Sequence, residues 1–157
     1  MPPIVSIVGK SGSGKTTFLE QLIREIASRG YKIATIKHTH HDISFDQAGK
    51  DSWRHAQAGA AATLVSSASK MQIIKPVAAE VTIEELACEF GEEYDLILTE
   101  GFSGRGTTPK IEIHRKAANL PLLNPENLIA VVTDEPLEVS VRQFELNDVK
   151  SVAAFIE

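Results

Sequence analysis

Short apolar runs alternate with longer amphipathic stretches along this chain. "PIVSIVG" (3–9) is a nearly continuous run of β-branched residues, which suits a strand covered on both faces in a parallel sheet. From Lys15 to Arg29 the period becomes helical, with Phe18, Leu19, Leu22, Ile23 and Ile26 forming one face and Gly30 placed as the C-terminal cap. A second strand is predicted over 32–38 and a second helix over 47–58, closed by Gly59. Residues 62–67 and 70–75 read as two strands joined by a tight turn, followed by a helix over 82–90 with Thr82 and Glu85 spaced as a capping box. "DLILTEG" (95–101) and "LIAVVTD" (128–134) are buried strands. In "KIEIHR" (110–115) Ile111 and Ile113 alternate with charged neighbours, which predicts a strand at a sheet edge or with one exposed face. A short helix over 148–156 ends the pattern. Strands alternating with helices of this length predict a three-layer α/β (αβα) fold with a mainly parallel sheet.

The turn between the first strand and helix changes this from a fold prediction into a chemical one. "GKSGSGKT" satisfies G-x-x-x-x-G-K-T from Gly9 to Thr16, the P-loop of nucleotide-hydrolysing α/β proteins. Its glycines, Gly9, Gly12 and Gly14, let successive backbone N–H groups of the Ser11, Ser13 and Thr17 region turn inward toward phosphate oxygens. Lys15 reaches the β/γ-phosphates, and the Thr16 hydroxyl ligates Mg²⁺. A metal-nucleotide site also needs a carboxylate at the C-terminal edge of a neighbouring strand. Glu100 closes "DLILTEG" beside Gly101 and is assigned to the Mg²⁺ side, whereas Asp95 opens that strand and is a surface or capping residue. Asp134, with Thr133 beside it, ends the last buried strand. A carboxylate there can accept from both the N1–H and the N2 amino group of guanine, which makes this pair the candidate base reader.

Charge and composition narrow the partners. Sixteen basic and twenty-one acidic side chains give a formal charge of −5, so diffuse attraction to nucleic acid or anionic lipid is not expected and anion binding is local. The lone Cys88 has no partner for an internal disulfide and stands in "TIEELACEF" like a small core residue. No segment approaches the ~20 apolar residues of a membrane-spanning helix, and Met1-Pro2-Pro3 enters the first strand without a basic leader. The expectation is a cytoplasmic protein forming a single nucleotide-binding domain over 1–157.

"KHTHHDISFDQAGKDS" (37–52) concentrates three histidines and three aspartates. Extended, it would put His38, His40 and Asp42 on one side, a possible set of Zn²⁺, Ni²⁺ or Fe²⁺ ligands. Its position after the second strand favours a switch-like loop at the phosphate edge, with Asp42 or Asp46 holding a Mg²⁺-bound water or orienting an attacking one. A helix N-cap is the competing role for Asp46.

"GKSGSGKTT", "IKHTHHDISFDQAGKDSWRHAQAGA" and "DLILTEGF" followed by "PKIEIHR" together resemble the MobB family, molybdopterin-guanine dinucleotide biosynthesis protein B. The resemblance implies a GTP-binding, slowly GTP-hydrolysing homodimer that uses Mg²⁺ and assists a guanylyltransferase of the MobA kind. That partner joins GMP to molybdopterin to give the guanine dinucleotide form of the molybdenum cofactor, and the pterin is a further candidate ligand. It also implies that Gly12 to Thr17 bind phosphates, that Thr16 and Glu100 serve Mg²⁺, and that the 38–51 block faces the cleft. The pattern breaks at Ser103, where the family carries lysine; Arg105 follows close behind as a substitute charge. Two other readings fit the P-loop: a nickel-type metallochaperone GTPase using His38, His40 or His41, and a small-molecule kinase. For a dimer, strands 70–75 and 110–115 offer edges that could pair between copies.

Overall fold

A computed structural model describes all residues from Met1 to Glu157 except His40, Asp42 and Arg105. The described chain divides into two compact units, residues 1–38 with 82–157, and residues 39–81.

The larger unit is built on a six-stranded sheet. Its elements in chain order are β1 (Ile4–Val8), α1 (Lys15–Ser28), β2 (Ile33–Lys37), then, beyond the smaller unit, an α-helix at Ile83–Cys88, and strands at Leu96–Glu100, Lys110–Ile113, Leu128–Thr133 and Arg142–Glu145, with a last helix at Val149–Ile156. The smaller unit contributes α2 (Asp51–Gln57) and the hairpin β3 (Thr63–Ser66) and β4 (Met71–Ile74). The remaining helices are therefore α3 and α4, and the remaining strands β5 to β8. The sheet order is β2-β5-β1-β6-β7-β8, and every pair in it is parallel. β1 thus lies between β5 and β6, so its C-terminal end faces segments about a hundred residues away in sequence.

The strand period of two divides the core between two faces. On one, Val5, Ile7, Leu96, Leu98, Ile111, Ile113 and Val132 pack against Phe18, Leu22 and Ile26 of α1 and Val152 and Ala153 of α4. On the other, Ile36 and Ile97 meet Ile83 and Ala87 of α3 with Phe102. This is the three-layer arrangement that the alternation of strands and helices predicts. Arg29, at the C-cap of α1, donates to Glu25 (3.0 and 2.9 Å), to Glu157 (2.7 Å) and to the Lys150 carbonyl (3.0 Å), which ties α1 to α4. Gly30 takes φ +95° and donates to the Ala27 carbonyl, as its capping role requires. Thr82 and Glu85 form the expected capping box on α3.

Several expectations are corrected. β6 is not an edge strand: it lies between β1 and β7, and all four residues are buried. Its charged positions are satisfied internally rather than by water. Lys110 Nζ donates to the Gly106 and Glu126 carbonyls (3.0 and 3.2 Å), and the Glu112 carboxylate accepts from the Leu123 and Asn124 amides (2.6 and 3.0 Å). A central strand cannot pair between copies, so the part of the dimer proposal that used 110–115 is lost. Cys88 is exposed, because the α3 stripe facing the sheet is Ile83 and Ala87, four residues apart, and Cys88 falls outside it. α2 begins at Asp51 rather than at residue 47, since Gly49 at φ +88° belongs to a turn before it. β8 is an additional strand; only Phe144 of its four residues is buried, which leaves no apolar run to detect.

Candidate functional site

The tight turn after β1 is set by a glycine that no other residue can replace without displacement. Gly9 has φ +144°, and a Cβ there would lie 2.4 Å from the Ile113 carbonyl oxygen and 2.8 Å from Ser13 Oγ. Ser13 Oγ is itself buried and has no hydrogen-bond partner among the described residues. A buried hydroxyl in that condition is costly unless something supplies a partner. It sits in the loop that, by sequence, should surround phosphate. Gly14 (φ +88°) is the N-cap of α1, which has neither a side-chain cap nor an acidic residue in its first turn. The first intrahelical bond runs from Phe18 N–H to the Gly14 carbonyl, so the amides of Lys15, Thr16 and Thr17 at the positive end of the helix are available to an anion.

Two side chains from β2 and β5 complete this edge. Thr16 Oγ1 donates to Glu100 Oε1 at 2.8 Å, and Lys37 Nζ lies 2.8 Å from the same oxygen. Thr16 and Glu100, placed on the metal side from sequence, are therefore in direct contact. Burial alone would push the Glu100 carboxyl up, but hydrogen bonds from Lys37 and Thr16, with the charges of Lys37 and Lys15, hold it below the usual carboxylate range. Lys15 Nζ folds back onto the Lys10 carbonyl at 2.8 Å. Its burial lowers the ammonium pKa, against the opposing pull of Glu100 and with a further lowering from Lys37. Lys37 was not singled out in the sequence, where it reads as an ordinary exposed strand-end lysine. The hydroxyl and carboxylate oxygens of Thr16 and Glu100 are a donor set suited to Mg²⁺.

The opposite flank is formed by the ends of β6 and β7. His114 Nε2 is 3.0 Å from Glu135 Oε1, and Asp134 Oδ1 accepts from the Lys116 amide at 2.7 Å. Thr133 Oγ1 bonds within its own turn, donating to the Glu135 carbonyl at 3.1 Å and accepting from the Glu135 amide at 3.2 Å. Thr133 and Asp134 line a cavity of about 630 Å³ with Gln143, Glu145 and Asn147. Arg115, between the two tethered residues, lies against Gly14. Asp95 is a surface residue, one of the two roles expected of it, and its carboxylate accepts from the Lys32 amide at 2.7 Å.

His38 stacks on Phe102, with ring centroids 4.4 Å apart. Asp46 belongs to the smaller unit, where Oδ1 accepts from the Gln47 amide (2.8 Å) and the Ser52 hydroxyl (3.1 Å). It is not an N-cap, since Lys50 holds that position of α2. The expectations for His40, Asp42 and Arg105 fall outside the described residues, among which no group of three His, Cys, Asp or Glu side chains is arranged to hold a metal ion.

A parallel sheet whose β1–α1 turn carries the G-x-x-x-x-G-K-T spacing, with a hydroxyl–carboxylate pair beside that turn, defines the P-loop NTPase class of α/β folds. Within that class, residues 4–134 match the model of the family described as MobB, molybdopterin guanine dinucleotide synthesis protein B, and the chain belongs to that family. It is 38% identical over 157 residues to the molybdopterin-guanine dinucleotide biosynthesis adapter protein of Haemophilus influenzae, covering 99% of this chain and 88% of that one. It is 36% identical over 161 residues to the adapter protein of the same description from Escherichia coli, covering 99% and 92%. The crystal structure of Bacillus subtilis MobB superposes with a TM-score of 0.77 at 28% identity, covering 98% of this chain and 95% of that one. No helix among the described residues is long and apolar enough to cross a membrane.

Proposed function

We propose that this chain binds GTP with Mg²⁺, hydrolyses it slowly, and acts as an adapter to the guanylyltransferase step that builds molybdopterin-guanine dinucleotide. The observation that supports nucleotide binding most directly is the paired Thr16 and Glu100 beside a phosphate loop whose Ser13 hydroxyl is buried without a partner. In this reading Gly9 to Thr17 enclose the phosphates, with Lys15 supplying positive charge. Thr16 and Glu100 hold Mg²⁺, which neutralises phosphate charge and orients the chain of phosphates when bound. Lys37 keeps Glu100 ionised and in place. The base lies toward Thr133 and Asp134. Asp134 Oδ1 is engaged by Lys116, and each carboxylate oxygen can accept more than one hydrogen bond, so the group remains able to accept from guanine. The names of the relatives, both adapter proteins of molybdopterin-guanine dinucleotide biosynthesis, support the pathway assignment. Homodimer formation and contact with the pterin belong to the same proposal.

Calorimetric titration with GTP and with ATP, each with Mg²⁺, tests it. Preferential GTP binding that Lys15→Ala removes is the expected result; no binding of either nucleotide, or a preference for ATP, counts against it. Pull-down with a purified guanylyltransferase of the pathway tests the adapter role, and no association in the presence of GTP would overturn that part.

A further inference from the structure

Arg115 is an exposed residue whose guanidinium lies against the backbone at Gly14. Measured from where a Cβ on Gly14 would stand, Nε is 3.2 Å away, Cζ 3.3 Å and Nη2 3.4 Å. Three atoms at nearly one distance place the plane of the group flat across the glycine at the mouth of the phosphate loop. Among the described residues it has no hydrogen bond or ion pair. It is therefore a cation held beside Gly14 and not neutralised by a described side chain, whereas Lys37 is paired with Glu100.

The backbone around it is fixed from both sides. Before it, the His114 amide donates to the Val132 carbonyl and the His114 ring meets Glu135; after it, the Lys116 amide donates to Asp134. The Arg115 carbonyl accepts from the Ala118 amide at 3.0 Å. An arginine anchored in this way has a restricted reach, and its reach covers Gly14. A planar guanidinium offers paired N–H donors matched to phosphate oxygens, which a solvated ammonium does not.

We propose that Arg115 is a phosphate ligand supplied in cis, contacting the phosphate chain of the nucleotide from the side opposite Glu100, with Asp134 acting as the positioning residue that holds its backbone. The inference rests on the nucleotide reading above. The buried Ser13 hydroxyl in the same loop is an independent sign that a polar ligand belongs there.

The test is calorimetric titration of wild type, Arg115→Ala, Arg115→Lys and Lys15→Ala with Mg²⁺-GTP and with inorganic triphosphate, together with thermal unfolding of each. Charge-assisted hydrogen bonds of roughly 1.5–3 kcal/mol convert to a loss of about 10- to 100-fold in affinity. Arg115→Ala should lose that much for both probes while its unfolding temperature stays at the wild-type value, and Arg115→Lys should recover only part. Asp134→Ala should weaken triphosphate binding in the wild-type background and have little effect when combined with Arg115→Ala. If wild type binds and Arg115→Ala binds equally well, the Arg115 assignment fails and the nucleotide reading stands. If wild type and Lys15→Ala alike bind neither probe, both fall. A fully additive Asp134→Ala and Arg115→Ala pair overturns the positioning role alone.

Discussion

Thr16 and Glu100, separated by 84 positions in the chain, meet through a 2.8 Å hydrogen bond at the C-terminal edge of the sheet. The contact follows from β1 and β5 being parallel neighbours in register, with Ile7 opposite Glu100, so that the turn after β1 opens beside the last residue of β5. Replacing Glu100 with Gln keeps the shape and removes the charge. The expected result is a loss of Mg²⁺ dependence in GTP binding with little change in the metal-free affinity, measured by titration with and without EDTA.

The same carboxylate makes a pH prediction. Its folded pKa is lowered relative to the unfolded chain, so it contributes stability that is fully present above the ordinary carboxylate pKa and is lost as pH falls through the folded value. Wild type should therefore exceed Glu100→Gln in unfolding temperature at pH 7, with the difference shrinking below about pH 4.5. An unfolding-temperature gap that stays constant down to pH 3 would contradict the Lys37–Glu100 arrangement.

Lys15 behaves in the opposite sense. Burial lowers its folded pKa, so its charged form costs stability at neutral pH, a cost relieved only as pH rises past the folded pKa toward the unfolded one. Lys15→Met should leave the unfolding temperature of the nucleotide-free protein unchanged or raised, while abolishing GTP binding. A destabilised but binding-competent variant would show that Lys15 serves the fold.

Gly9→Ala should destabilise by about 2 kcal/mol or more, because a methyl group meets the Ile113 carbonyl and Ser13 Oγ at a backbone angle that L residues rarely adopt. Gly12, with nothing within 4 Å of its Cβ position, suffers only the cost of its φ of +77°. Denaturant unfolding of the two alanine variants should rank them in that order.

Glu112→Ala should cost roughly 1–3 kcal/mol, since it removes a buried carboxylate that accepts from the half-buried Leu123 amide and the exposed Asn124 amide. Chemical denaturation provides the measurement, and a loss below about 1 kcal/mol would indicate that the 121–127 loop finds other partners.

Much of this was legible in the chain. The apolar runs at 3–9, 95–101 and 128–134 became β1, β5 and β7, and the spacing from Gly9 to Thr16 located the loop and the helix that follows it. Glu100 could be placed because a carboxylate at a strand's end has one direction in which to act. The positions of Lys37 and Arg115 could not be read this way. Their contacts depend on which strands are neighbours, and sequence order does not give the order β2-β5-β1-β6. β6 misled for a related reason: alternating charge looks the same whether its partner is water or the backbone of a covering loop. Cys88 shows the limit of composition, since one helical position separates the buried Ala87 from the exposed thiol.

The central place of β1 bears on how the protein comes to exist at all. The phosphate loop leaves the ribosome ahead of all its supports, yet Gly9 packs on Ile113, Thr16 awaits Glu100, and Gly14 lies under Arg115. None of these supports is available until at least 84 further residues have followed. Long-range parallel pairing of this kind is slow to form. The nascent β1–α1 segment therefore emerges without this geometry, which is complete only when β5 and β6 close on either side of β1.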